Sequence, residues 1–272
     1  MKMNRFFLLV AAGLLLLMSS CATVYHNQLV SIPLISEQGE LQLQAGGSLN
    51  DFATANLSVA YGVSDKLAFQ GFGRINSGDD LSLYHLQLAL GRYAQNENGH
   101  IKEFYGGVAF GMHDFSLTFG RYYADLTKNS PMKLDRTDYY TEDYEAVNGN
   151  YQMLYVQGNI GKKFKNVEWA LGCKLGGIYA TIQDYQENYV GTFLVEDPST
   201  NTSYTRDVFE TVSYSYHPLN LLLEPQFEVR FGWEHFKFSY RIGFSIFGNS
   251  SPELHRIYYT GFNSGLGIHY RF

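Results

Sequence analysis

The chain has 272 residues, of which 16% are aromatic and 17% charged, and a formal net charge of −6. That acidic balance argues against a nucleic-acid-binding surface. The slightly negative mean hydropathy excludes a bundle of apolar membrane helices. It does not exclude a barrel, where apolar and polar residues alternate and cancel.

Residues 1–20 read as a targeting segment, with Lys2 and Arg5 ahead of an apolar run from Phe6 to Met18. The run is too short and too early for a membrane span. Ser19-Ser20 directly before Cys21 resembles the lipobox of bacterial lipoproteins, although Met18 stands where Leu is usual. The resemblance implies cleavage before Cys21 and a covalent N-terminal lipid on it, palmitate among its acyl chains, with no other cofactor and no metal. An ordinary secretory signal ending near a cysteine is the alternative. Once Cys21 is acylated, Cys173 has no partner, and it reads as a small hydrophobe on an apolar strand face. Residues 21–38 contain Pro33 and have no clean period. They are expected to form a lipidated periplasmic tether, with the barrel occupying 39–272.

From Glu40 the period is two. Leu41, Leu43 and Ala45 alternate with Gln42, Gln44 and Gly46, and Leu57, Val59, Tyr61 and Val63 with Asn56, Ser58, Ala60 and Gly62. Further strands are expected over 67–75, 81–93, 103–113, 151–163, 167–181, 219–231 and 236–246, with a closing strand over 257–272. The segments Asp114–Asn150 and Gln183–Ser213 are long, polar and read as loops. Alternation of short turns with long loops, and ten strands in all, point to an all-β, transmembrane, antiparallel up-and-down β-barrel in a bacterial outer membrane, with both barrel ends in the periplasm. A secreted sandwich or a soluble lipocalin-like barrel is the rival architecture. The terminal Gly267, Tyr270 and Phe272 resemble the insertion signal that outer-membrane barrels present to the barrel-assembly machinery, Gly265 being a departure from it.

With the polar face inward, the lumen holds Glu103, Glu168, Glu224 and Glu228 with Arg74, Lys174, Arg230, Lys237, Arg241 and Arg271. A barrel of so few strands is about filled by side chains, so these charges read as a paired polar plug. A conducting pore is the other reading. His113-Asp114, at the outer end of its strand, is the one place for a base with an orienting carboxylate, and no nucleophile can be placed beside it. His85 and His269 fall on the same inner face at other depths. The loop Asp135–Glu145 is acidic and tyrosine-rich, which suits a binding surface as well as a merely solvated one.

The lipobox-like start, Tyr25-His26-Asn27 with Pro33, and the hairpin Leu57–Phe72 together resemble small outer-membrane barrel lipoproteins of Bacteroidota. The resemblance implies address and fold without an activity. The expected function is that of a non-enzymatic outer-membrane lipoprotein. It would be an accessory subunit of an outer-membrane complex, or would present extracellular loops to a protein partner, in contact with membrane lipids. A barrel enzyme acting on lipid or peptide and a small-solute channel are the alternatives.

Overall fold

The computed structural model describes residues 23–26, 28–30, 32–49, 54–77, 81–123, 139–197, 202–217, 219–248, 258–260 and 262–272. The leader and Cys21 lie outside the described residues.

The described chain is all-β. Its strands are β1 Thr23–His26, β2 Leu41–Ser48, β3 Thr54–Gly62, β4 Leu67–Ser77, β5 Leu81–Gln95, β6 His100–Tyr123 and β7 Tyr139–Lys163. They continue with β8 Val167–Asp197, β9 Thr202–Tyr216, β10 Leu219–Gly232, β11 Phe236–Phe244, β12 Ile246–Gly248, β13 Tyr258–Thr260 and β14 Phe262–Arg271. The pleat sends alternate side chains to opposite faces. On β5, Tyr84, Leu86, Leu88 and Leu90 are exposed while His85, Gln87 and Ala89 are buried. Outward leucines such as Leu90 (68% exposed) and Leu154 (71%) recur around the wall, while Glu228 and Arg241 inside are fully buried. An apolar exterior around a charged interior is stable only where the surrounding solvent is hydrocarbon. The barrel therefore spans a membrane, and the soluble alternative falls away.

Neighbours pair antiparallel from β2 to β8; β8 pairs with β10, β10 with β11, β11 with β14, and β14 returns to β2. That sheet contains twelve strand segments, more than the ten strands the sequence suggests. The surplus is β9, which runs ahead of β10 along the upper part of β8, and β12, which follows β11 along β10. Around its closed circumference the ring has the expected number of staves. Closure pairs the backbone groups that hydrocarbon could not satisfy.

Tight turns at Val63–Lys66, Asn96–Gly99, Phe164–Asn166 and Trp233–His235 mark one end. At Gly99 the reversal needs φ = 76°, a left-handed conformation open to glycine. At the other end β6 and β7 stay paired out to Tyr123↔Tyr139, and β8 and β9 out to Asp197↔Thr202. The two polar segments expected as loops are thus largely paired hairpins. The apolar alternation that betrays a strand is absent from these polar segments while the backbone ladder continues. The barrel thus has the expected asymmetry, short turns at one end and long connections at the other.

Inside the wall, tyrosines lie over sheet glycines. A methyl group added at Gly111, Gly107 or Gly91 would come within 2.1 Å of Tyr151, 2.5 Å of Tyr155 or 2.4 Å of Tyr105. Each ring covers backbone that a larger residue would push away.

Candidate functional site

The lumen is filled by the chain's own amino-terminal segment. Tyr25, Leu29, Val30, Ile32, Leu34 and Ile35 are all buried. The polar contacts of this segment follow a vertical order set by β10, which descends from the hairpin end. The Tyr25 hydroxyl donates to Glu224 Oε2 at 3.2 Å, and Gln226 Nε2 donates to the Val30 carbonyl. Lower down, the Ile32 amide donates to Glu228 Oε2 at 3.0 Å, and Arg230 donates to the carbonyls of Ile32 and Pro33. From the surrounding wall Arg241 donates to the Leu29 carbonyl, and Glu103 accepts the Ile35 amide at 2.7 Å. At the short-turn mouth the Ser36 amide donates to Glu40 Oε2 at 2.8 Å. At the top, β1 pairs in parallel with β13, which lies between β12 and β14 at the hairpin end.

The sequence reading placed this stretch outside the barrel as a tether; its described residues lie within the lumen. The signal was available in composition. A solvated tether should be polar, whereas this one carries Tyr25, Leu29, Val30, Ile32, Leu34 and Ile35.

Around the lower half of the segment, charges of alternating sign form one chain. Lys163 meets Glu40 at 2.6 Å, Glu40 meets Arg271 at 2.9 Å, and Arg271 meets Glu168 at 2.7 Å. Glu168 then meets Arg230 at 3.2 Å, and Arg230 meets Glu228 at 3.0 Å. Three acids and three bases are thus joined without a break, as buried charges require. Burial would raise the pKa of the Glu40 carboxyl, but the Lys163 ammonium, the Ser36 amide and Arg271 outweigh it and hold the group below its ordinary value of 4.5.

The remaining predicted lumen residues lie at several levels of the barrel. Lys174 pairs with Glu224 at 2.8 Å, and the same carboxylate accepts from Ser245 at 2.7 Å. Arg74 is buried and reaches Thr54 Oγ1 at 3.4 Å, and Arg241 Nη2 donates to Asn56 at 3.1 Å. Glu103 also accepts from Asn159 at 2.9 Å. Lys237 donates to the carbonyls of Lys165 and Trp233, bracing two short turns.

Nearer the hairpins the interior changes character. Tyr25, Tyr151, Met153, Ile178, Ile182 and Leu222 belong to one buried apolar cluster. The Tyr25 ring meets Tyr151 edge-on at 5.4 Å and Phe247 at 5.7 Å. The same cluster reaches down to Ile35, Tyr93 and Tyr105 near the short turns, so apolar packing runs beside the charges, a feature that polar–apolar parity alone does not reveal.

The paired His113-Asp114 is not assembled. The alternation of β6 buries His113 in the interior and leaves Asp114 exposed, and neither ring nitrogen of His113 has a hydrogen-bond partner among the described residues. His85 Nδ1 lies 2.6 Å from the Tyr151 hydroxyl, and His269 Nε2 lies 2.9 Å from Gln42 Oε1. Among the described residues no group of three or more His, Cys, Asp or Glu is placed to hold a metal ion. Cys173 is a free, exposed thiol on the outer wall.

At the carboxyl terminus Tyr270 and Phe272 face outward with ring centroids 4.6 Å apart, and the Phe272 amide donates to the Leu41 carbonyl at 2.9 Å. A methyl on Gly267 would come within 2.8 Å of Ser239 Oγ on β11 and 2.9 Å of the Ala45 carbonyl on β2. With Phe231, Trp233, Phe236 and Phe238, these rings form an aromatic girdle at the short-turn end.

No family model matches the chain, and no curated protein sequence matches it. Among solved structures, the outer membrane protease OmpT from Escherichia coli is similar at 10% identity and a TM-score of 0.48, over 86% of this chain and 93% of that one. The β domain of the Bordetella autotransporter BrkA is similar at 7% identity and a TM-score of 0.26, over 86% and 99%. The monoaromatic hydrocarbon channel CymD is similar at 10% identity and a TM-score of 0.25, over 87% and 89%. The barrel assignment rests on its own strand pairings, and no activity of these proteins transfers to this chain.

Proposed function

We propose that this chain is a closed, non-enzymatic outer-membrane barrel whose working surface is the pair of extracellular hairpins, β6–β7 and β8–β9. It acts as an accessory subunit that presents these hairpins to a protein partner in the membrane. The observation that carries this reading is the filled lumen. The described residues between Tyr25 and Ser36, with the ion chain and the apolar cluster around them, occupy the lumen, which favours a function on the outer surface. The hairpins offer paired strand backbone rich in Tyr, a residue enriched at interfaces, with Asp and Glu suited to a polar rim.

Acylation of Cys21, palmitate included, belongs to the same proposal, as does docking of Gly267, Tyr270 and Phe272 on the barrel-assembly machinery during insertion. So does kinship with the barrel lipoproteins of Bacteroidota.

The test is a pull-down of tagged protein from gently solubilised outer membranes, with co-purifying proteins identified by mass spectrometry. The reading expects a stoichiometric protein partner that is lost when the tips of β6–β7 and β8–β9 are shortened. A barrel that purifies alone, or one that shows conductance steps in planar bilayers, would overturn it.

A further inference from the structure

A lipoprotein barrel has two places to keep its lipid. If the amino-terminal segment hung from the periplasmic mouth, the acyl chains would sit in the inner leaflet of the outer membrane. The course of the segment points elsewhere. From Glu40 at the short-turn mouth it climbs past Ile35 at Glu103, Ile32 at Glu228, Val30 at Gln226 and Tyr25 at Glu224. It then joins β13 through the register Thr23↔Tyr258 and Tyr25↔Tyr259, at the hairpin end of the barrel. The described course of the segment thus begins at Thr23, at the hairpin end.

We propose that the protein threads its own barrel from outside to inside, so that its mature amino terminus and the acyl chains on Cys21 lie on the extracellular side. The lipid would then be anchored in the outer leaflet, making the chain a surface-anchored lipoprotein that also spans the membrane. This rests on the orientation and the acylation proposed above. The ligand is a lipid surface, reached by the two or three acyl chains of a lipoprotein amino terminus beside the hairpin rim. Tyr25 packs on Tyr151 and Phe247 below that end, so the anchor and the plug are two parts of one segment.

Single cysteines introduced into a Cys173→Ala background test this in intact cells with a membrane-impermeant maleimide. Glu210→Cys on β9 reports the hairpin end, Glu97→Cys the short-turn end, and Thr23→Cys the segment. Thr23→Cys is expected to label with Glu210→Cys in intact cells, while Glu97→Cys labels only after the outer membrane is permeabilised. Labelling of Thr23→Cys in step with Glu97→Cys would overturn the threading. Labelling of Glu97→Cys but not Glu210→Cys in intact cells would instead invert the barrel, and with it the proposed extracellular role of the hairpins and the surface position of the lipid. A second variant guards against a shielded thiol. Thr23→Cys with Tyr258→Cys should form a disulfide that shifts gel mobility until reduced, and its absence in folded barrel would overturn the proposal.

Discussion

Ile32 and Glu228 stand 196 positions apart, yet the amide of one donates to the carboxylate of the other at 3.0 Å inside the ring. Glu228 also accepts from Gln44 at 2.9 Å and from two nitrogens of Arg230 at 3.0 and 3.1 Å. One carboxylate thus ties the threaded segment, β2 and β10 together.

Removing Arg230 should be among the most damaging single changes. Arg230→Ala leaves Glu168 and Glu228 buried without their shared cation, and loss of one partner from a buried pair costs about 3–5 kcal/mol. The expected result is a lower urea midpoint for the heat-modifiable folded band. Combining it with Glu168→Gln and Glu228→Gln should recover part of the loss, because the stranded charges are then gone. No recovery would mean that Arg230 acts by packing alone.

Glu103 anchors the lower segment through the Ile35 amide, Asn159 and the Tyr105 hydroxyl. Glu103→Ala orphans a buried amide, for which about 1–3 kcal/mol of destabilisation is expected. Glu103→Gln keeps an acceptor for Ile35 and should cost less. Unfolding titrations of the two variants in detergent would show the order, and equal losses would contradict the anchoring role.

Gly111 has no room for a methyl, since one would lie 2.1 Å from the Tyr151 ring. Gly111→Ala should therefore cost about 1–3 kcal/mol by overpacking. Adding Tyr151→Leu should relieve the clash, so that the double variant is less destabilised than the sum of the singles. Strict additivity in a double-mutant cycle would rule out the ring-over-glycine contact.

Acid should loosen the short-turn mouth first. The carboxyl of Glu40 is held below its ordinary value of 4.5, so its contribution to stability is complete above that pH and is lost as pH falls through the lower folded value. Protection of the Ser36 amide, which donates to this carboxylate, should fall relative to its intrinsic exchange rate as pH drops below 4.5 in wild type. In Glu40→Gln the protection should be low already at neutral pH and unchanged by acid across the same range.

How much of this could be read from the chain depends on where the bilayer imposes a pattern. Leu57–Val63 and Leu219–Phe231 were legible because hydrocarbon on one side and a packed lumen on the other force strict alternation. Tyr139–Asn150 and Gln183–Asp197 were illegible as strands because their polar sequence lacks the apolar alternation, although the backbone ladder runs through them. The inward position of Glu224, Glu228, Arg230 and Arg241 follows from parity alone. Their partners do not, since Glu40 finds Lys163 across 123 positions and Arg271 finds Glu168 across 103. The described residues from Leu29 to Ile35 were hidden because a strand-free run obeys no period, and only its excess of apolar residues marked it as buried.

The seam between β14 and β2 joins the last strand of the chain to the strand that immediately follows the threaded segment. Shutting the ring and trapping the segment are consequently one event. If Cys21 carries the acyl chains proposed above, that amino terminus could not be drawn afterwards through a lumen already packed with side chains. The segment would then have to lie in its groove while the wall is still an open sheet, serving as the template around which the last two edges meet. The order of assembly is in this way written into the topology: leader strand laid down first, staves raised around it, and the hoop closed last.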